Sequence, residues 1–119
     1  MEIFTIRFPS GRAKPRRLFH RQQFDVEHQR RVRRDDAAGA AGAELAYQLG
    51  RQALERTEKA EALFIGGGAW LADPAAERLE REFGKPVITS LNGAVRAILK
   101  ALDCWRPFPA GHGRVLEVE

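Results

Sequence analysis

The chain has 119 residues, of which 44% are hydrophobic and 30% charged, and this composition is typical of one globular domain. The longest uncharged apolar run, residues 62–72, is too short to cross a bilayer, so we expect no membrane insertion. The start of the chain lacks the pattern of a secretory signal, and a single cysteine excludes an internal disulfide. We therefore expect a cytoplasmic protein.

The net charge of +4 is unevenly distributed along the chain. Residues 1–34 contain ten lysines and arginines against three acids, whereas residues 35–119 contain ten against thirteen. We therefore divide the chain into a basic, poorly ordered or atypical N-terminal segment, 1–34, and an α/β lobe, 35–119. Such a basic segment either attracts the phosphates of nucleic acids or keeps a poorly folded arm solvated.

The first half of the chain shows weak signals of regular structure. Apolar and polar residues alternate over residues 2–8, which predicts a half-buried strand. Residues 18–34 have no stable apolar face, so no element is predicted there. Asp35 and Asp36 then offer an N-terminal cap for a helix predicted over residues 37–60.

The second half alternates more clearly between strands and helices. The continuous apolar run EALFIG, residues 61–66, is typical of a strand buried on both faces. Asp73 followed by Pro74 predicts the start of a helix, because the side chain can cap it and proline suits its first turn. Gly84 is expected to end that helix in a left-handed conformation.

Three further elements complete the predicted fold. KPVITS, residues 85–90, predicts the next strand, and Ser90 is expected to cap a third helix. That helix carries the strongest amphipathic stripe in the chain: Leu91, Ala94, Val95, Ile98, Leu99 and Leu102. RVLEV, residues 114–118, predicts a last short strand. This alternation predicts an α/β fold with a small parallel sheet flanked by helices.

Two groups of residues follow neighbouring predicted strands and form the candidate site. The carboxyl ends of parallel strands meet at one edge of a sheet, so the glycines at 66–68 should lie beside the hydroxyls of Thr89 and Ser90. Backbone amides in such a loop can bind a phosphate or a carboxylate. The glycine spacing matches no nucleotide-binding motif. The simpler alternative is a tight turn followed by a helix cap.

The other reactive side chains predict no second site. Cys104 follows the third helix and is expected to have a structural role, as isolated cysteines often do. His20, His28 and His112 are widely separated and lack the companions of a metal centre, so no metal site is expected.

The residues from 61 onward resemble the C-terminal lobe of the Asp/Glu racemase superfamily, in particular its maleate cis-trans isomerase and arylmalonate decarboxylase branch. The matching pieces are ALFIGGGAWLADPAAERLEREFGKPVITS and the closing GHGRVLE. The resemblance implies one flavodoxin-like lobe of a two-lobe fold. It also implies a cofactor-independent isomerase, racemase or lyase that acts on a carbon next to a carboxylate.

Carried over position by position, the resemblance implies how a substrate is held. Gly67 falls where the family has its C-terminal catalytic cysteine, so the thiol is absent and we assign no catalytic residue. Thr89 and Ser90 match the family's hydroxyl pair. The loop that binds the carboxylate is implied to consist of Gly66, Gly67, Gly68 and Ala69. The expected ligand is a small dicarboxylate or an aryl carboxylate.

The chain departs from this family in a second respect. Family members have two lobes with the active site between them, and this chain has the length of one. The first forty residues do not resemble the family, so they are either an unrelated extension or, as a hypothesis, the sign of a gene fragment or a frame-shifted product. The sequence therefore predicts a partial, catalytically impaired family member.

Two other functions stay open from the sequence. A nucleic-acid-binding accessory protein would use the basic arm, but the sequence lacks a recognition helix, a zinc motif and paired aromatic residues, which disfavours this alternative. A non-catalytic module that forms a homo-oligomer through exposed strand edges and apolar helix faces is the other alternative.

Overall fold

The computed structural model describes residues 2–7, 25–33, 35–36, 38–67 and 70–118. Within these ranges the chain forms an α/β fold. Its elements follow in the order β1 (Glu2–Arg7), β2 (Asp25–Arg31), α1 (Gly39–Arg56), β3 (Ala62–Gly66), α2 (Asp73–Phe83), β4 (Val87–Thr89), α3 (Ser90–Ala101) and α4 (Arg114–Glu117). No helix in these ranges combines the length and the apolar character needed to cross a membrane.

The strands form one sheet in the order β2-β1-β3-β4. β3 and β4 run parallel, with Leu63 opposite Val87 and Ile65 opposite Thr89. The predicted α/β fold with a small parallel sheet flanked by helices is therefore confirmed at this pair. β1 runs antiparallel to both β2 and β3, so the complete sheet is mixed.

β2 lies in the stretch where the sequence predicted no element, and that prediction was wrong. The strand reads DVEHQRR and pairs with β1, placing Val26 opposite Ile6 and Arg30 opposite Ile3. It is an edge strand, and charged residues are common on edges because they discourage pairing with other chains. Apolar periodicity missed it because backbone hydrogen bonds, rather than an apolar face, join it to the sheet.

β1 and β2 place part of the basic N-terminal segment in the same sheet as the lobe. The sequence predicted a boundary between two segments after residue 34. In the structure, β1 lies between β2 and β3. Ile3 of β1 is fully buried and belongs to the same apolar core as Leu63 of β3. The sheet therefore contains strands from both the basic segment and the lobe.

One face of the sheet is covered by α1 and α2. Ile3, Leu63 and Val87 are fully buried on this face. Gly50 of α1 lies so close to it that an added Cβ would be 2.5 Å from Leu79 Cδ1 and 3.0 Å from Leu63 Cδ2. Glycine weakens a helix in isolation, but here it allows α1 to approach the sheet and α2.

Trp70 lies in the loop between β3 and α2 and links this loop to helix α1. Its side chain is buried in the core, and its indole Nε1 donates a hydrogen bond to the Gly42 carbonyl at 2.6 Å. Because the indole nitrogen is satisfied by backbone, the ring can be buried without an unpaired polar atom.

The predicted capping residues of α1 and α2 were wrong, although both helices exist. α1 begins at Gly39 with Ala38 at its cap position, and neither Asp35 nor Asp36 is the residue that precedes the helix. α2 has Ala72 at its cap position, so Asp73 is the first helical residue and makes no capping bond. Acidic residues can be favourable near a helix start without capping it.

The predicted end of α2 is confirmed. Gly84 adopts φ +67°, and its N–H donates to the Glu80 carbonyl at 2.9 Å. A left-handed residue at this position suits glycine because a Cβ is strained there.

The predicted final strand was wrong, because Arg114–Glu117 form the short helix α4. The Arg114 N–H donates to Oε2 of Glu80 at 2.9 Å, and the Leu116 N–H donates to the Gly113 carbonyl at 3.0 Å. These bonds engage the backbone amides in a local turn instead of a strand ladder. Leu116 is buried by the turn.

Replacing Glu80 with glutamine tests how strongly its carboxylate holds the fold. Glu80 is 8% exposed, and its two oxygens accept from the Val87 and Arg114 amides. Glu80→Gln keeps one acceptor and turns an NH2 group toward a donor, so we expect a loss of about 1–3 kcal/mol in the free energy of unfolding, measured in urea.

Glu77→Gln is the matched control on the same helix. The Glu77 carboxylate pairs with Arg81 one turn away at the surface. Such pairs contribute under about 0.5 kcal/mol. Equal destabilisation by the two substitutions would contradict the role assigned to Glu80.

Candidate functional site

β3 and β4 end side by side, and the predicted site residues lie at this edge. Ile65 is opposite Thr89 in the parallel ladder, so Gly66 and Gly67 leave β3 where Ser90 begins α3. The Gly67 N–H donates to the Ser90 hydroxyl oxygen at 2.9 Å. The structure thus brings the glycine loop and the hydroxyl pair together. Gly68 and Ala69, which were predicted to complete the loop, lie outside the described residues.

Ser90 is the more accessible of the two hydroxyl residues. Its side chain is half-buried and its oxygen accepts the bond from Gly67. Within the described part of the chain, no group accepts a hydrogen bond from this hydroxyl, so its proton remains able to donate. Ser90 also stands at the N-terminus of the twelve-residue helix α3, where the aligned peptide dipoles favour negative charge.

Thr89 has a structural role at the same edge. The sequence predicted Ser90 as the cap of α3, but the cap is Thr89. Its hydroxyl accepts from the Asn92 N–H at 3.1 Å, while Oδ1 of Asn92 accepts from the Thr89 N–H at 2.8 Å. This reciprocal arrangement is a capping box with asparagine in place of the usual Glu or Gln. The spacing Thr-x-x-Asn in the sequence is the signal that could have revealed it.

Asp73 is a site residue that the sequence placed in a different role. It was expected to cap α2, whereas its Oδ1 accepts from the Thr89 hydroxyl at 2.6 Å. The bond ties the start of α2 to the end of β4. Because Thr89 donates to Asp73 and accepts from Asn92, its hydroxyl is fully engaged and only 3% exposed. Asp73 also places a negative charge beside the edge.

The closing GHG motif packs beneath the start of α3. Gly113 adopts φ +91°, and a Cβ there would lie 3.0 Å from Nδ2 of Asn92. Both its conformation and this close approach require glycine. Asn92 is buried, and its Nδ2 meets no acceptor in the described ranges. The C-terminal motif therefore supports the side chain that completes the capping box.

The backbone at Gly67 is unlike that of an ordinary residue. Gly67 adopts φ +136°, a region that side chains of L-amino acids rarely occupy. The resemblance places the family cysteine at this position. A cysteine side chain here would require a different backbone conformation, so the loop departs from that pattern in more than its missing sulfur.

The remaining reactive groups lie elsewhere. Cys104 is exposed and follows the far end of α3 from Ser90, a helix that spans about 18 Å. His112 is exposed, His20 lies outside the described residues, and the His28 side chain is likewise not described. Across the described ranges, no three or more His, Cys, Asp or Glu residues are grouped to hold a metal ion.

Away from this edge, a concave region lies between β2 and α1 and has a volume of about 730 Å³. Its charged lining consists of Arg30, Arg31, Arg33, Asp35, Asp36 and Glu44. The three arginines face three acids, so this groove lacks the single-sign field that binds a nucleic-acid backbone. Half of the predicted basic arm, residues 8–24, lies outside the described residues.

Comparison with known proteins finds no matching family model, no matching curated protein and no matching solved structure. The edge offers the hydroxyl donor of Ser90 and the positive end of α3, with the Asp73 carboxylate nearby.

The different roles of the two hydroxyls predict different effects on stability. Thr89→Val keeps the shape but removes the cap and the donor to Asp73, so we expect a loss of about 1–2 kcal/mol in the free energy of unfolding. Ser90→Ala removes a half-buried hydroxyl that accepts one bond and should cost under about 1 kcal/mol. Urea denaturation followed by circular dichroism measures both. The reverse order of the two losses would contradict these assignments.

Proposed function

We propose that this chain binds a small carboxylate at the edge formed by Gly66, Gly67 and Ser90, without catalysing its conversion. The observation that carries the proposal is the 2.9 Å hydrogen bond from the Gly67 N–H to the Ser90 hydroxyl oxygen. It joins the loop after β3 to the start of α3 and leaves the Ser90 hydroxyl proton able to donate to a ligand.

The donors at this edge suit a carboxylate oxygen. A hydroxyl that already accepts a hydrogen bond becomes a better donor, because the two bonds polarise each other. The N-terminus of α3 adds a partial positive charge at the same place. The resemblance to the maleate isomerase and arylmalonate decarboxylase branch favours a small dicarboxylate or an aryl carboxylate as the ligand.

In the described part of the chain this edge offers no thiol for proton transfer at carbon, and the Asp73 carboxylate beside it already accepts from the Thr89 hydroxyl. Such a reaction needs a positioned side chain with a suitable pKa beside the reacting carbon. Gly67 supplies no side chain at the position of the family cysteine. The Thr89 hydroxyl is engaged by Asp73 and Asn92, and Cys104 lies beyond the other end of α3. The proposal is therefore a binding function, although the members of the family that the chain resembles are enzymes.

Ligand titration followed by amide NMR tests the binding proposal. Maleate and phenylmalonate are the probes, and we expect saturable shifts centred on Gly67 and Ser90. Ser90→Ala removes one donor and should weaken binding about five- to ten-fold. Absence of saturable shifts in the wild-type chain would contradict carboxylate binding.

Asp73→Asn provides a variant with the opposite expected effect. Asparagine keeps an oxygen that can accept from Thr89 but removes the negative charge beside the ligand. We expect binding to strengthen about two- to five-fold, and less so at high salt. An unchanged affinity in both variants would place the ligand elsewhere.

Incubation with the same two probes tests the absence of turnover. Proton NMR distinguishes fumarate from maleate and phenylacetate from phenylmalonate. We expect both probes to persist at the rate of the buffer control. Turnover by the purified chain, lost in the Ser90→Ala variant, would contradict the non-catalytic part of the proposal while supporting the location of the site.

A further inference from the structure

The apolar stripe that the sequence predicts along α3 is largely exposed. A stripe of this kind usually packs against the core. Leu91, Ile98 and Leu102 are 62%, 57% and 68% exposed. Val95 is half-buried, and Asn92 is the buried residue of α3. The helix rests on the sheet through its polar N-terminal turn and Gly93, whose Cβ would lie 3.2 Å from Ile88 Cγ2. Its most apolar side therefore faces away from the core.

The exposed side chains form one narrow seam on the helix. Leu91, Val95, Ile98 and Leu102 are spaced by four, three and four residues, the spacing that keeps side chains in line where two helices pack together. We call these four residues the α3 seam. Helical geometry places all four within about 60° of one another around the axis.

The seam is symmetric about its own middle. Reading it backwards exchanges Leu91 with Leu102 and Val95 with Ile98, so the order of side-chain sizes is nearly preserved. Two copies of α3 packed antiparallel about a two-fold axis would therefore pair leucine with leucine and valine with isoleucine. A two-fold interface requires this kind of self-complementarity.

The charges of α3 do not oppose packing against a second copy. The charged residues of α3 are Arg96 and Lys100, and both lie on the other side of the helix from the seam. Their side is occupied by Trp105, over whose ring the Arg96 guanidinium lies at 4.5 Å. Two seams can thus meet without like charges between them. The exposed alanines Ala94 and Ala101 flank the seam and permit close approach.

We propose that two copies of this chain associate through the α3 seam as an antiparallel, two-fold symmetric helix pair. The three largest exposed side chains present on the order of 300 Å² of apolar surface per copy, a patch size that is often functional on monomers. A standard stable interface buries about 800 Å² per partner. We therefore expect a weak dimer, with a dissociation constant in the micromolar range or above.

Sedimentation equilibrium over a wide concentration series tests the association. The wild-type chain should pass from monomer to dimer as its concentration rises. Ile98→Glu buries a charge in the centre of the pair and should weaken the dimer at least ten-fold. Lys100→Glu is the matched control, because it introduces the same acid on the opposite side of the same helix and should leave association unchanged.

A mixing experiment tests the proposed register. Val95→Lys should also weaken the homodimer when it is measured alone. When this variant is mixed with Ile98→Glu, the new lysine of one copy would face the new glutamate of the other across the two-fold axis. We expect the mixture to associate more tightly than either variant alone. Circular dichroism of each variant verifies that it remains folded.

Three outcomes would overturn the proposal. A wild-type chain that stays monomeric at all concentrations would indicate that another protein or lobe covers the seam. Equal association of the wild-type and Ile98→Glu chains would place the interface elsewhere. Failure of the mixed variants to associate would exclude the antiparallel register.

Discussion

The candidate site depends most on the hydrogen bonds that the buried carboxylate of Glu80 accepts. This carboxylate accepts from the first residue of β4, Val87, and from Arg114 at the start of α4. Removing a carboxylate from water is costly unless donors replace the lost hydration, and here two backbone amides do so. β4 has only three residues, so fixing Val87 also fixes Thr89 and the start of α3.

The polar groups at the strand edge divide between structural and accessible roles. Thr89 is hydrogen-bonded to both Asn92 and Asp73, and these bonds join α2, β4 and α3. Ser90, one residue further along, is bonded only by the Gly67 amide among the described residues. A rigid frame thus presents one accessible hydroxyl, as binding sites do when neighbouring side chains hold their donors in place.

The sheet has one well-covered face, and this constrains what α3 can bury. α1 and α2 fill the face that carries Ile3, Leu63 and Val87. α3 directly follows β4, the last strand of the sheet, and meets Ile88 through Gly93 on the face opposite Val87. A helix that packs beside the last strand through its first turns has little neighbouring surface on which to bury its whole apolar stripe. Its exposed seam is therefore a consequence of topology.

The sequence by itself determined the local elements whose signals lie within a few residues. The apolar run of β3, the glycine that ends α2 and the periodicity of α3 were sufficient, because each reflects a local backbone preference. It also placed Gly67 and Ser90 at one edge, since parallel strands end together. Those inferences needed only strand order and short loops.

Only the tertiary structure decided the features that depend on distant partners. β2 exists because β1 offers it a backbone edge, and residues 114–117 form a helix because Glu80, distant in sequence, engages their first amide. Asp73 binds Thr89 instead of capping its own helix. The exposure of Leu91 and Leu102 likewise depends on where α3 lies on the sheet. Periodicity identifies an apolar face, but neighbouring elements determine whether that face is covered.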